Sequence, residues 1–400
     1  MRPDGKRRLR RIAQLVPAVC LLVLAACGDD GQQAGGGEEP TGAATAGAPA
    51  TTGEAPADGT EPAGSPTAAA GEGSGVECTD IGTVRMGLTG SVSDAPFFIA
   101  QERGYFEEVG ITPEFSTFDS AARMIAPLGG GQLDVGAGAP SAGFYNALTR
   151  DLAFRIVADK GSMPPGYGYF PLLVRADLYE SGEVTSPEDL AGLTIAEAAQ
   201  GIAGSSTLNA YLEAGGLTYE DVSHEYLGFG EHLPAFQNQA IDGSLTTEPS
   251  ATLIEDLGLA VRLGSPADFY PNQQLAVILY SEQFTQRDDG AGECTMIAYL
   301  RGARDYVGAL DDGSLTGEGA DEIVEIVSAA AGVEAELYRR ITPNWVDPDG
   351  RLNMESIERD YEFLRGLGLL EGEVDLTQVV EERFAEAAVA ELGEWEGERP

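Results

Sequence analysis

Small and hydroxyl-bearing residues stand at the starts of four predicted helices, where they could bind the oxygen atoms of a ligand. Three of these starts lie in the first half of the chain and one near its middle. The candidates are Ser91, Asp94, Ser120, Ala121, Pro140, Ser141, Gly204, Ser205, Ser206 and Thr207. Helix N-termini expose unpaired N–H groups, which together with hydroxyls can donate hydrogen bonds to an anionic or carbonyl oxygen. Each of these residues would also serve as an ordinary structural cap, so both roles stay open.

Two charged residues at predicted strand ends have opposite implications for a ligand. Lys160 is the only lysine beyond the first ten residues and would favour an anion, whereas Glu248 would favour a cationic or amine group. The alternatives are a solvated loop charge beside Asp159 for the lysine and a carboxylate at a helix N-terminus for the glutamate. The charge of the ligand therefore stays open. Phe97 and the aromatic side chains of residues 167–170 are candidates for apolar walls, although each could equally be core.

Sequence patterns that are typical of enzymes do not occur in the chain. There is no G-x-S-x-G, H-E-x-x-H or P-loop pattern, and His224 and His232 have no companion metal ligands near them in the sequence. The run from Asp347 to Gly350 begins like a calcium loop, but the residues that follow are not those of an EF-hand. We therefore expect a protein that is not an enzyme and needs no metal or cofactor. The alternative is an exported enzyme or ligand-sensing domain that uses the same site.

The elements that must position these residues alternate between strand and helix. The patterns predict strands over residues 83–88, 111–115, 135–137 and 154–158, with helices over 95–103, 120–128 and 141–148 between them. The same alternation restarts near residue 188, with strands over 193–196, 222–226 and 243–246 and helices over 205–213 and 233–238. Strand and helix units of this length predict an α/β protein with two lobes, each a mainly parallel sheet covered by helices.

The charge of the chain argues against one class of partner, and its N-terminal sequence predicts its cellular location. The chain has 24 Lys and Arg residues against 65 Asp and Glu, a formal net charge of −41, which argues against nucleic-acid binding through phosphates. Residues 1–26 combine a basic start with an apolar run that ends in small residues before Cys27. This pattern predicts an exported protein whose signal peptide covers 1–26 and whose Cys27 carries a lipid anchor. A plain signal peptide is the alternative, and the export route, general or twin-arginine, stays open.

The segment after Cys27 is a predicted tether. Residues 28–75 consist mostly of Gly, Ala, Pro, Thr and Glu and contain no aromatic or basic side chain, so they cannot bury enough apolar surface to offset the entropy of ordering. Beyond the tether only Cys78 and Cys294 remain. Two cysteines in an exported chain usually pair, so we predict a disulfide between them, with two free buried thiols as the alternative.

Several motifs resemble one family of transport proteins. Residues 96–111 resemble the opening signature of solute-binding proteins of ABC importers in the nitrate, sulfonate, taurine and thiamine-precursor group. Further pieces follow in the order of the family at 128–135, 186–195, 241–249 and 349–353, and the similarity extends over about residues 82–393. The resemblance is specific for fold and general role and weakly informative about the ligand.

The resemblance implies a type II periplasmic-binding-protein fold with a central hinge and a ligand cleft between two lobes. On this basis we expect lobe one over 76–172 and 277–400, and lobe two over 173–276. The convergence of the candidate residues on one cleft is an implication of the resemblance and not of their spacing. The implied partners are a small-molecule solute and the permease and ATPase subunits of an ABC importer on other chains. The protein is expected to be a monomer held at the extracytoplasmic face of the membrane by its lipid.

Overall fold

The computed structural model describes residues 76–150, 152 and 154–400. The predicted signal peptide over 1–26, the predicted lipid site Cys27 and the predicted tether up to residue 75 lie outside the described residues. Within the described part of the chain, no helix has both the length and the apolar character needed to cross a membrane.

The described chain contains ten strands, which form two separate sheets. In chain order they are β1 (Gly82–Leu88), β2 (Ile111–Thr117), β3 (Val135–Gly138), β4 (Phe154–Met163), β5 (Leu172–Arg175), β6 (Thr194–Glu197), β7 (Ser223–Tyr226), β8 (Gly243–Leu245), β9 (Ala260–Arg262) and β10 (Gln273–Ser281).

Sixteen α-helices connect and cover these strands in the described chain. They are α1 (Ala95–Glu102), α2 (Tyr105–Glu108), α3 (Ile125–Gly129), α4 (Ala142–Leu148), α5 (Ala176–Glu180), α6 (Ala203–Ala214), α7 (Phe229–Gln237), α8 (Ser250–Asp256), α9 (Pro266–Phe269), α10 (Glu282–Thr285), α11 (Ala291–Gly308), α12 (Ala320–Ala331), α13 (Ala335–Tyr338), α14 (Met354–Gly366), α15 (Leu376–Val379) and α16 (Arg383–Leu392). Short 3₁₀ turns cover Val92–Asp94, Ala121–Met124, Pro187–Leu190 and Tyr219–Asp221.

The helix boundaries follow local sequence signals. The hydroxyl of Ser141 accepts a hydrogen bond from the backbone N–H of Phe144 and so caps the start of α4, at 3.1 Å. At the end of α1, Gly104 adopts a left-handed φ of 75°, a conformation that glycine reaches without the steric cost of a Cβ atom. Residue 104 is where the sequence predicts that this helix stops.

Each sheet has five strands and is mainly parallel. The first has the order β2-β1-β3-β10-β4, in which only β10 runs antiparallel to its neighbours. The second has the order β7-β6-β8-β5-β9, in which β5 is the antiparallel strand. We call the first sheet with its helices lobe one and the second lobe two. The chain passes from lobe one to lobe two between β4 and β5 and returns between β9 and β10, so the two-lobed α/β prediction is confirmed. The residue boundaries of the lobes stay a prediction.

Two strands of lobe one differ from the sequence-based expectation. The pattern predicts that β4 ends at residue 158, but the strand continues to Met163 because β10 pairs with it along its length. Strand β10 itself was not predicted. All nine of its residues are buried, and it lies between β3 and β4, so it holds the two halves of the first sheet together.

A disulfide joins Cys78, at the start of the described chain, to Cys294 in α11. The bridge closes a sequence separation of 216 residues and agrees with the pairing that the sequence predicts. We expect a non-reduced proteolytic digest of the exported protein to contain one linked pair of peptides carrying these two cysteines, which separates on reduction. Mass spectrometry of the digest checks this. Recovery of both cysteines as separate alkylated peptides without reduction would contradict the bridge.

Candidate ligand cleft

A cavity lies between the two lobes at the carboxyl ends of their parallel strands. Loops after β1, β2 and β3 line it from lobe one, and loops after β6, β7 and β8 line it from lobe two. The space between its walls, counted together with open solvent at its mouth, is about 440 Å³. The lining residues are Thr89, Ser91, Ser93, Ser120, Ala121, Gly138, Ala139, Lys160, Tyr169, Phe170, Ala198, Ile202, Gly204, Phe229, Thr247, Leu275 and Ala276. Ligands of open α/β sheets usually bind at this position, outside the carboxyl ends of the strands.

A buried ion pair lies at the floor of this cleft. The ammonium of Lys160, in β4, lies 2.7 Å from a carboxylate oxygen of Asp94, and both side chains are fully buried. The same ammonium donates to the hydroxyls of Ser93 at 2.8 Å and Thr89 at 3.4 Å. The hydrogen bonds of the ammonium therefore go to these two hydroxyls, and its charge is paired with Asp94. Strand β4 and the loop before α1 are thereby held together.

The hydroxyls next to the ion pair satisfy one another. Ser93 donates to the hydroxyl of Ser91 at 3.2 Å, and Ser91 shares a 2.7 Å hydrogen bond with the hydroxyl of Thr247 from lobe two. Ser120 is different. Its hydroxyl is buried and has no hydrogen-bond partner within the described protein, although its residue lines the cavity. A buried polar group without a partner costs free energy, and in a cleft a ligand can supply the partner.

The remaining walls are mainly apolar. Phe170 and Phe229 contact each other edge to face, with ring centroids 6.0 Å apart. Gly204, at the start of α6, lets the ring of Phe170 approach, because a Cβ atom there would lie 2.8 Å from it. Small side chains and glycines from both lobes complete the lining. The shape and polarity fit a small molecule with an apolar body.

Direct contacts between the lobes surround the cavity. The backbone N–H of Ala142 donates to Gly201 at 2.7 Å, that of Ala203 donates to Pro140 at 3.0 Å, and that of Val92 donates to Glu248 at 2.8 Å. These bonds join lobe one to lobe two at two sides of the cleft. The lobes are therefore in direct contact around the cleft.

The structure brings seven of the residues that the sequence singled out to the cavity wall. They are Ser91, Ser120, Ala121, Lys160, Tyr169, Phe170 and Gly204. Ligand contact by these residues stays a prediction. Lys160 is not the solvated loop charge that the alternative interpretation described, because its strand continues past it and buries it completely.

The other predicted site residues do not line the cavity, and the structure gives most of them partners within the protein. Phe97 packs in the core against Tyr299, with ring centroids 4.7 Å apart. Asp94 pairs with Lys160, and Ser141 caps α4 while Pro140 contacts lobe two. The hydroxyl of Thr207 donates to Gln273 at 2.6 Å.

Ser205 and Ser206 differ from the expectation in their position along the helix. Helix α6 begins at Ala203, so the two serines lie inside its first turn, buried on the side that packs against the rest of the protein. Only Gly204 of this turn lines the cavity. Bulky side chains at 205 and 206 would therefore disturb the packing of α6 rather than fill the cleft.

Glu248 is satisfied within the protein. Its carboxylate pairs with Arg262, accepts from the backbone N–H of Thr252 in the first turn of α8 at 3.1 Å, and accepts from that of Thr342 at 3.1 Å. This is the helix N-terminal role that the sequence left open. The structure gives the glutamate no access to the cavity and no free charge for a cationic ligand.

Sequence reasoning missed several residues of the cleft. Among them are Thr89, Ala198, Phe229 and Thr247. Each follows a strand of the parallel set, so position after a strand end is the signal that could have found them.

The described residues hold no cluster of three or more His, Cys, Asp or Glu side chains that could bind a metal ion. The only charged residue that lines the described cleft is Lys160, and it is already paired. The arrangement is suited to enclosing a ligand.

Comparison with known protein families identifies one match. The NMT1/THI5 like family model matches residues 92–308. No curated protein is significantly similar to the chain.

Solved structures share the fold at low sequence identity. The alkanesulfonate-binding protein SsuA from Xanthomonas axonopodis pv. citri, bound to MOPS, has a TM-score of 0.60 at 17% identity, over 75% of this chain and 98% of that one. The nitrate-binding protein NrtA from Synechocystis PCC 6803 has a TM-score of 0.65 at 12% identity, over 80% and 90%. The sulphonate-binding protein SsuA from Escherichia coli has a TM-score of 0.57 at 17% identity, over 75% and 92%. These likenesses confirm the predicted periplasmic-binding-protein fold.

Proposed function

The chain belongs to the NMT1/THI5 like family, and from this premise we propose that it is an extracytoplasmic solute-binding protein of an ABC importer. In this role it binds a small organic or oxyanionic molecule between its lobes and delivers it to permease and ATPase subunits on other chains. The neighbours in fold bind alkanesulfonate and nitrate, which supports transport of a small molecule and leaves the solute of this chain to be identified.

The observation that carries the proposal is a closed cleft between two lobes. The lobes meet through hydrogen bonds from Ala142 to Gly201 and from Ala203 to Pro140, and they are joined by two chain crossings. Two crossings form a hinge about which lobes can open without unfolding. A solute that contacts both lobes binds the closed form better than the open one and shifts the equilibrium toward closure. The closed form then presents both lobes to the permease.

Ala139 offers a direct test of the cleft. It lines the cavity and is only partly buried, so a larger side chain can extend into the empty space without crushing the core. We expect Ala139→Leu to reduce ligand affinity by about 100-fold or more, a loss of about 2.7 kcal/mol, because the added carbons occupy the ligand volume. Small molecules that co-purify with the full exported chain, quantified by mass spectrometry, provide the measurement.

The matched control is Ala330→Leu, which adds the same atoms to an exposed position of α12. This variant should retain the co-purified molecule as the parent protein does. Equal retention by Ala139→Leu would show that the cleft is not the binding site. Recovery of a chemically converted molecule after incubation would favour an exported enzyme instead, whereas recovery of the unchanged molecule supports transport.

Membrane attachment through Cys27 is a separate part of the proposal. The residue follows a signal-like segment and precedes a predicted tether. We expect Cys27→Ala to abolish labelling by a radioactive fatty acid and to release a folded protein from the membrane fraction. Labelling that persists in the variant would rule out this anchor.

A further inference from the structure

We propose that the cleft takes an uncharged, largely apolar small molecule with one hydrogen-bonding group, and that Ser120 recognises this group. The inference rests on the proposed function, because it names the class of solute that the protein carries. It separates this chain from its sulfonate-binding and nitrate-binding neighbours in fold.

No unpaired charged side chain lines the described cleft. Lys160 is the only charged residue among those that line the described cleft, and its ammonium is paired with Asp94 at 2.7 Å. Its other donors are directed at the hydroxyls of Ser93 and Thr89. The pair has no net charge, so the ammonium is not a free cation for a sulfonate or nitrate oxygen.

Burial of a charged ligand in this cleft would be unfavourable. An anion that entered the cleft would lose its hydration without gaining a free cation, and burial of an unpaired charge is strongly unfavourable. A cation meets the same difficulty, since the carboxylate of Asp94 is already paired and its second oxygen accepts from the backbone N–H groups of Thr89 and Ser91, at 3.2 and 3.0 Å. The cleft therefore selects against both charges.

All but one of the hydroxyl groups that line the cleft have a hydrogen-bond partner within the described protein. The hydroxyls of Ser91, Ser93 and Thr247 bind one another, and that of Thr89 accepts from Lys160. The hydroxyl of Ser120 alone among the lining hydroxyls is buried without a partner in the described protein, and its residue is 3% exposed. A ligand carbonyl, amide, hydroxyl or ring nitrogen would satisfy it. Ser120 is therefore the lining hydroxyl that most needs a partner from the ligand.

The walls of the cleft offer apolar surface to the body of a ligand. Phe170, in the crossing between β4 and β5, and Phe229, in lobe two, supply aromatic surface. Leu275 and Ile202 supply aliphatic surface. Aromatic side chains bind ring compounds by stacking or edge-to-face contact without requiring charge. One-ring compounds are therefore suitable probes.

Competitive equilibrium dialysis tests the charge preference. The full exported chain is dialysed against an equimolar mixture of benzamide, benzoate, benzenesulfonate and benzylamine at pH 7, with sodium nitrate added, and the retained compounds are quantified. These organic probes share one ring and differ in the charge of the attached group. We expect benzamide to be retained at least tenfold more than any charged member.

Ser120→Ala tests the recognition of the polar group. We expect it to weaken benzamide binding about 5- to 30-fold, the effect of losing one hydrogen bond to a buried group, while binding of toluene changes less than twofold. Ser116→Ala is the matched control, because Ser116 is exposed on β2. It should change neither. Equal weakening of benzamide and toluene in Ser120→Ala would assign the serine a merely structural role and overturn its part in recognition.

The outcomes separate this inference from the proposed function. Preferential retention of benzenesulfonate, benzoate or nitrate would overturn the uncharged-ligand inference and leave the binding function intact. Preferential retention of benzylamine would do the same. If the protein retains no member of the mixture, the cleft does not bind this class of small molecule, and the inference fails, while the co-purification experiment decides the function independently.

Discussion

Replacing Lys160 by methionine is expected to lower the free energy of unfolding by about 3–5 kcal/mol, the cost of breaking a buried ion pair by removing one partner. The methionine keeps most of the apolar length of the lysine but leaves the carboxylate of Asp94 buried without a cation. Both side chains of this pair are 0% exposed, so water cannot replace the missing charge. Chemical denaturation followed by circular dichroism measures the loss.

Arg155→Met is the matched control in the same strand. Arg155 lies 3.6 Å from Glu381, and both of these side chains are partly exposed, so this variant should cost no more than about 1 kcal/mol. The double variant Lys160→Met/Asp94→Asn removes both charges together. It should regain most of the stability lost in Lys160→Met, because exchange of a buried ion pair for neutral groups is often nearly neutral.

Two results would contradict the account of this pair. One is a loss in Lys160→Met that does not exceed the loss in Arg155→Met. The other is a double variant that is no more stable than Lys160→Met, since this would place the role of the lysine outside its pairing with Asp94. In either case the assignment of a neutral floor to the cleft would also fail.

The local elements of this fold could be predicted because their signals are local. Ser141 before a run of small and apolar residues predicts the start of α4, and Gly104 predicts the end of α1; both are observed. The alternation of strands and helices predicts two α/β lobes, and two sheets are observed. Each of these signals depends on residues within one or two turns of the element.

Strand β10 shows where local reasoning failed. The run from Leu275 to Tyr280 is continuously apolar, a pattern that fits a buried strand or a buried helix equally well. What makes it a strand is pairing with β3 and β4, which are more than 100 residues earlier in the chain. The same pairing extends β4 and buries Lys160, so one missed strand led to the alternative interpretation of that lysine as a solvated charge.

The positions of a few residues at the cavity wall could be read from the sequence, but their partners could not. Ser91, Ser120 and Gly204 reach the cavity wall because they follow strands, and this much can be read along the chain. That Asp94 neutralises Lys160, or that Arg262 neutralises Glu248, depends on which segments meet in three dimensions. The sequence therefore left the charge of the ligand open, whereas the structure pairs both Lys160 and Glu248 within the protein.

Two buried carboxyl groups are expected to make the free energy of unfolding depend on pH. Burial raises the pKa of Asp360, in α14, to about 7, although hydrogen bonds from Gln273 and Tyr270 oppose the shift. Burial likewise raises the pKa of Asp159, in β4, to about 7 against hydrogen bonds from the backbone of Asp347 and from Gln274. Both groups are therefore protonated in the folded protein at pH values where an unfolded chain has released the protons.

The sign of the effect follows from proton binding. Between about pH 4 and pH 7 the folded state holds more protons than the unfolded state, so the free energy of unfolding falls as the pH rises. The contribution is fully present below the unfolded pKa and is lost as the pH rises through about 7. Each group can contribute up to about 1.4 kcal/mol for each pH unit in this window.

Asp360→Asn should remove the contribution of one of these groups. The asparagine is neutral at every pH and can still accept from the hydroxyl of Tyr270, which lies 2.9 Å from the carboxyl oxygen. We expect the free energy of unfolding of this variant to fall less steeply between pH 5 and pH 8 than that of the parent protein. The slope is the readout, so a constant loss from imperfect packing does not affect the test. Asp288→Asn, at an exposed loop position, should leave the slope unchanged. Parallel curves for Asp360→Asn and the parent protein would show that the buried carboxyl of Asp360 is already ionised throughout this range.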